Sequence, residues 1–170
     1  MKSDGIFTIT DKKEKRFLRR KTAAFDLKTD HKEIRGLIQK MRTAMNTAQG
    51  VGLSANQIGL NLNMFVAQVP NPEGGSKFYA LLNPKIEKAS SLKTSEEEGC
   101  LSVPGVYGSV LRPERITISG FDKNGRPVKI KAWGLLSRVF QHEIDHLNGI
   151  LFIDKAKELR KYENERKYEK

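Results

Sequence analysis

His142 and His146 stand four residues apart with Glu143 and Asp145 between them, in the run Gln141-His142-Glu143-Ile144-Asp145-His146. On a helix a four-residue step turns through roughly 400°, so both imidazoles emerge on one face about a turn apart. That spacing suits the grip of a single metal ion. Glu143 is near enough to act as general acid or base on a metal-bound water. Short patterns of this kind also arise by chance on surface helices, so the reading needs a third ligand and elements that hold it in place.

Three protein ligands and an open position make a catalytic zinc-like site. The run His142-Glu143-x-x-His146-x-x-Gly149-x-x-Phe152 follows metzincin protease spacing up to the place of the third histidine, where Phe152 cannot bind a metal. The other protease solution, a downstream glutamate, would draw on Glu158, Glu163, Glu165 or Glu169, all set among lysines in the tail. His31, the remaining histidine, reads as the first residue of a solvated helix. Cys100 is left, offering one thiolate to complete a tetrahedral set with two imidazoles and water. A lone cysteine is usually a small buried hydrophobe. This one sits in Glu98-Gly99-Cys100-Leu101-Ser102, after three acids and before a Pro-Gly turn. As the single cysteine it makes no intramolecular disulfide, which fits a reducing compartment.

The elements that must position these residues read as an α+β domain. Residues 1–25 are charged and poorly patterned, a short strand and a tether, with 1–17 the least patterned. Asp30 is placed as a helix N-cap with Glu33 to complete a capping box. Ile34, Leu37, Ile38, Met41, Ala44, Met45 and Ala48 then follow at helical steps, and Gly50 and Gly52 end the helix. Strands are expected over 64–69, 78–82, 85–88, 115–121 and 128–133, the last two joined by an Asn124-Gly125 hairpin. Gly134 opens the helix that carries His142, and Gly149 stops it. Residues 155–170 are expected to form an exposed charged helix or tail, with Leu159 and Tyr162 its only apolar footing. No repeat or linker divides residues 1–170, so they read as a single catalytic domain.

Charge sorts the partner classes. The chain carries a net +11, yet residues 43–154 hold 11 Lys+Arg against 10 Asp+Glu, so the excess sits at the two ends. Basic ends suit a polyanion such as RNA as well as a plain solvated surface. No apolar run approaches the roughly 20 residues of a membrane span. The start, Met1-Lys2-Ser3-Asp4, lacks a hydrophobic block, so the expected location is the cytoplasm.

Three passages in order, Gly50-Val51-Gly52-Leu53-Ser54-Ala55-Asn56-Gln57, Glu98-Gly99-Cys100-Leu101-Ser102 and the His142 run, resemble the signature motifs of the peptide deformylases. Val103-Pro104-Gly105, Val110-Leu111-Arg112-Pro113 and Gly134-Leu135-Leu136-Ser137-Arg138-Val139-Phe140 resemble the connecting pieces, so the likeness runs from about Leu18 to Asp154. Ser54 stands where alanine is usual, and no proline precedes Leu18-Arg19.

The resemblance implies a peptide-deformylase-like fold, antiparallel strands around a central helix carrying the HExDH motif, with a charged C-terminal helix. It implies removal of the N-formyl group from the formylmethionine of nascent polypeptides, with release of formate. It further implies a divalent ion on Cys100, His142 and His146, usually Fe²⁺, with Zn²⁺ or Ni²⁺ able to occupy the site. Glu143 would transfer protons while the side chain of Gln57 and the backbone N–H of Leu101 stabilise an oxyanion. Val51, Gly52 and Gly99 would pair with the substrate main chain. Val51, Leu135, Val139 and the His142 ring would take the methionine, with Arg138 at the rim. Glu98 and Asp145 would orient the ligands, although a helix-surface charge is an equal reading of Asp145.

Two rivals remain: a metalloprotease on the same helix, and a basic RNA- or ribosome-binding module with structural histidines. The basic tail could also tether an enzyme at the ribosome. No membrane or DNA partner is expected.

Overall fold

The computed structural model describes residues 5–71 and 74–161. Helix α1 (Lys12–Leu18) lies where a strand and tether were expected. Asp11 explains it. Its carboxylate accepts from the backbone N–H groups of Lys13 (2.7 Å) and Glu14 (3.0 Å), donors that a helix start leaves open.

Helix α2 (His31–Thr47) starts at Asp30 as expected, though the cap bond comes from Lys32 N–H and not from Glu33. Its buried residues, Ile34, Ile38, Met41 and Met45, form one stripe. Its end differs from the expected glycine stop. Gln49 takes the left-handed conformation (φ 55). Its N–H donates to Asn46 O while Gly50 N–H donates to Met45 O, the paired bonds that close a helix C-terminus. Gly50 is kept bare by crowding, since a Cβ there would lie 2.9 Å from Leu101 Cδ1.

Among the described residues eight strands form two antiparallel sheets. Strands β1 (Gly52–Ser54), β2 (Met64–Pro70), β3 (Ser76–Ala89), β6 (Arg115–Phe121) and β7 (Pro127–Trp133) make one, in the order β1-β2-β3-β6-β7. Strands β4 (Lys93–Cys100), β5 (Val103–Pro113) and β8 (Lys157–Lys161) make the other, in the order β4-β5-β8. Alternate residues of β2 feed two cores: Met64 and Val66 pack under α2, and Phe65 and Ala67 under helix α3 (Gly134–Leu147).

The hairpin at Asn124-Gly125 joins β6 to β7, in register from Arg115↔Trp133 to Phe121↔Pro127. The two strands expected at 78–82 and 85–88 are one, β3, with a register shift between Leu82 and Lys85. Asn83 makes the break, with φ 48 and a side chain that bonds both the N–H (2.7 Å) and the C=O (3.0 Å) of Phe25.

Sequence pattern does not announce β4 and β5. Most of β4 is Lys, Thr, Ser and Glu, and Glu98 is its one buried residue. The expected C-terminal helix is corrected as well. Lys157–Lys161 pairs with β5 through Val106↔Lys161, Tyr107↔Arg160 and Ser109↔Lys157. The open β5 edge offers backbone partners, whereas a helix with so little apolar footing has nothing to bury. Residues 162–170 of that expectation, Tyr162 included, lie outside the described residues.

Helix α3 packs on strands of both sheets. Gly149 follows its end with φ 75, and a Cβ there would meet Arg19 O at 2.5 Å, so the stop is also a close chain crossing. Among the described residues no helix is long and apolar enough to cross a membrane.

Candidate functional site

Cys100 ends β4 and the two histidines lie on α3, far off in sequence. The sulfur and one ring nitrogen from each histidine nevertheless all lie within 4.8 Å of one another. Cys100 Sγ is 3.1 Å from His146 Nε2, and the two imidazole centroids are 4.9 Å apart. Nδ1 of His142 faces Glu98 Oε2 at 3.0 Å, which orients that ring and leaves Nε2 for an ion. Burial, aided by the positive charge of His142 and Arg112, pushes His146 well below its ordinary pKa and so keeps it in the neutral, ligating form. Burial also pulls His142 down, but its hydrogen bonds to Cys100 and Glu98 prevail and raise it well above the ordinary value. One soft sulfur and two imidazoles fit a divalent first-row cation.

Behind the ligands stands a buried ionic network. Arg112 holds Glu98 by two bonds, Nε to Oε1 (2.5 Å) and Nη2 to Oε2 (2.9 Å), and reaches Asp145 Oδ2 with Nη1 (2.8 Å). Asp145, only 9% exposed, also takes Lys155 Nζ at 2.7 Å, so it is an anchor and not a surface charge. Motif reading named Arg112 within Val110-Leu111-Arg112-Pro113 and gave it no role. The structure inverts the usual strand pattern there: Leu111 is 53% exposed and Arg112 2%, because the carboxylates of Glu98 and Asp145 wait inside.

The network predicts a pH dependence. Burial alone would raise Glu98, but its bonds to Arg112 and His142 hold it well below the usual carboxylate range. A depressed folded-state pKa stabilises the fold at pH values above the unfolded value of about 4.3. That stability is lost as pH falls through the folded value. Urea unfolding is therefore expected to show a steep loss of stability below about pH 4.3, and Glu98→Gln to flatten it. The same variant should cost about 3 kcal/mol at pH 7, because it leaves Arg112 underpaired.

Glu143 is 3% exposed, and its Oε2 has no hydrogen-bond partner among the described residues. Burial pushes its pKa up to about 7 against the lowering pull of His142 and Arg112. A carboxyl that titrates near neutrality is matched to taking up and returning a proton. Gly52 makes room for it: a Cβ there would lie 2.3 Å from Glu143 Oε1 and 2.9 Å from its Cδ.

Gln57 sits in a 3-10 turn (Ala55–Ile58) after β1. Its Oε1 accepts from Ser54 N–H (2.9 Å) and lies 3.0 Å from Ser54 Oγ. That aims Nε2 at Ser102 Oγ (3.1 Å) and Cys100 Sγ (3.7 Å). Ser54, in the place of a usual alanine, is thus compatible with the turn and bonded within it. Ser102, fully buried, is a second contact that sequence reading missed.

Twelve of the fourteen residues given roles from sequence line one cleft of about 470 Å³: Val51, Gly52, Gln57, Glu98, Gly99, Cys100, Leu101, Leu135, Arg138, Val139, His142 and Glu143. His146, 1% exposed, lies behind them. Val51 and Leu135 are each 49% exposed at the mouth. Arg138 lines the cleft, but its guanidinium is engaged by Glu98 Oε1 (2.7 Å), Val110 O (3.0 Å) and Thr94 O (3.0 Å). It shares Glu98 Oε1 with Arg112, which leaves it little to offer a ligand. Phe152, at the metzincin third-histidine position, stacks on His142 with centroids 6.3 Å apart.

Comparison with known proteins agrees with this geometry. The sequence profile of the polypeptide deformylases matches residues 6–162. Peptide deformylase 2 of Gloeobacter violaceus is 46% identical over 124 residues, 73% of this chain and 66% of that protein, just under two thirds of its length. A probable peptide deformylase from Synechococcus phage S-SSM7 superposes with a TM-score of 0.80 at 43% identity, covering 88% of this chain and 97% of that one. The Synechococcus elongatus enzyme in complex with actinonin gives 0.78 at 39% identity, covering 89% and 78%. A class I type b enzyme from Acinetobacter baumannii with bound Met-Ala-Ser gives 0.79 at 29% identity, covering 88% and 96%. A matching profile over nearly the whole chain, on a fold that gathers Cys100, His142 and His146, shows that this protein belongs to the polypeptide deformylase family.

Proposed function

We propose that this chain is a metal-dependent amide hydrolase that removes the N-formyl group from N-terminal formylmethionine of nascent polypeptides and releases formate. The observation that carries the reading is the convergence of Cys100, His142 and His146 beside the buried Glu143 carboxyl. Those three residues would hold a divalent ion, Fe²⁺ by resemblance with Zn²⁺ or Ni²⁺ able to replace it, and the ion would supply Lewis acidity near neutral pH. Glu143 takes the proton of the attacking water and returns it to the leaving amine. Nε2 of Gln57, aimed by Ser54, and the N–H of Leu101 donate to the developing oxyanion.

The cleft lies between two sheet edges, because β1 and β4 each end their sheet. An extended peptide can add there as a strand, paired through the backbone of Val51, Gly52 and Gly99. Its methionine enters among Val51, Leu135, Val139 and the His142 ring. The Acinetobacter relative binds Met-Ala-Ser, a peptide with the N-terminus that this reaction leaves. The basic 155–170 segment supports a contact with the ribosome.

Formate release from formyl-Met-Ala-Ser, measured on anaerobically purified protein with its metal content, tests the reading. Turnover with one ion per chain is expected, and acetyl-Met-Ala-Ser should stay intact because the formyl carbon alone bears no methyl group. Cleavage of internal peptide bonds without formate would make the chain a protease. Gly52→Ala is expected to keep the ion and lose about 100-fold in kcat, since the new Cβ displaces Glu143 by about an ångström. Paired formate and elemental assays check it.

A further inference from the structure

The five-stranded sheet is covered by α2 on one face only as far as Leu82 and Phe121, which pack into the α2 core. Among the described residues the same face of β3, β6 and β7 lies open beyond that pair. Register places Lys85 and Lys129 on either side of Ser119, Lys88 and Lys131 on either side of Thr117, and Arg115 beside Trp133. All five cations are exposed, and Trp133 is 62% exposed. Glu87 reaches this face, bonded to Ser119 Oγ (2.7 Å) and close to Lys85 (3.6 Å).

Residues 43–154 hold 11 Lys+Arg, and Arg112 and Arg138 are spent in buried ion pairs. Five of the other nine therefore gather on one open surface, so the near-neutral charge of the middle of the chain conceals a polarised one. Flanking lysines two strands apart, about 10 Å, repel one another and gain from a polyanion. A hollow of about 520 Å³ runs between Lys88, Ser90, Arg115, Lys131 and Trp133.

We propose that this face of β3, β6 and β7 is a docking surface for single-stranded RNA, with phosphates on Lys88, Lys131 and Arg115 and a base stacked on Trp133. A cationic groove beside an exposed aromatic ring is the arrangement that binds single strands. Unpaired, splayed bases are what RNA loops present. An anionic membrane would also take the lysines and the ring, so vesicles form one arm of the test. Trp133 lies two residues before Leu135 at the mouth of the cleft, so the surface adjoins the site without sharing its residues.

Trp133 is the sole tryptophan, which makes its emission a direct reporter. The full chain is titrated with labelled oligouridine of about 12 nucleotides at about 50 mM salt, reading anisotropy and Trp133 emission. Binding with quenched emission is expected. Lys88→Glu with Lys131→Glu should weaken it at least tenfold and reduce the salt slope by about 0.7 per cation. Trp133→Ala should weaken it about tenfold. Thermal midpoint and formate release should stay at wild-type values in the lysine variant. Binding that leaves Trp133 unquenched, or that ignores the lysine reversals, overturns the proposal. So does quenching by phosphatidylserine vesicles or duplex DNA but not by oligouridine.

Discussion

Glu143→Gln keeps its metal and loses about 10³-fold in kcat, within the range that general acid–base transfer supplies. Glutamine has the shape of glutamate, so it still fits against bare Gly52, where a larger neighbour would collide. The neutral amide cannot accept a proton from water, and that is the step lost. The three clustered ligand atoms belong to Cys100, His142 and His146, so elemental analysis should read as for the wild type. Unchanged turnover would move proton transfer to another group. A vanished ion would instead make Glu143 a ligand.

Cys100→Ala is expected to lose both ion and activity. Removing a partner behind a metal ligand already costs about 10–100-fold in affinity, and removing the ligand itself costs more. Two imidazoles four residues apart on α3 remain, without the sulfur that β4 brings across. The protein should emerge from anaerobic purification with no stoichiometric ion and formate release at background. Cys100 is half-buried against the small core of Val103, Val110, Leu151 and Phe152, so its loss also removes some packing. Comparing thermal midpoints with chelated wild type separates the two effects: equal midpoints assign the change to the ion. A Cys100→Ala protein that retained metal and turnover would show that the chain's one thiol is not a ligand.

Where burial followed a local period, sequence reading located the element. The α2 stripe from Ile34 to Met45, the β6–β7 hairpin and the His142 helix all stand where their periodicity put them. Charged or polar segments were misjudged. Asp11 starts a helix that the surrounding lysines disguise, β4 buries only Glu98, and β8, exposed throughout, joins its sheet by pairing with β5. β4 and β8 depend on partners far along the chain, which a local pattern cannot show, whereas the α1 cap is local and its Asp11 signal was overlooked.

The chain by itself determined the chemical types: one thiol, two imidazoles at helical spacing, and a glutamate between them. Spacing on a single helix is local geometry, so it can be read from the order of residues. Tertiary structure decided that the thiol meets the two imidazoles, and that Glu98, Arg112, Asp145 and Arg138 form the brace behind them. It also showed that Gly52 is bare to admit Glu143. Those facts arise from the meeting of β1 and β4 over α3, and from the cost of burying charge unpaired, which only a folded chain can meet.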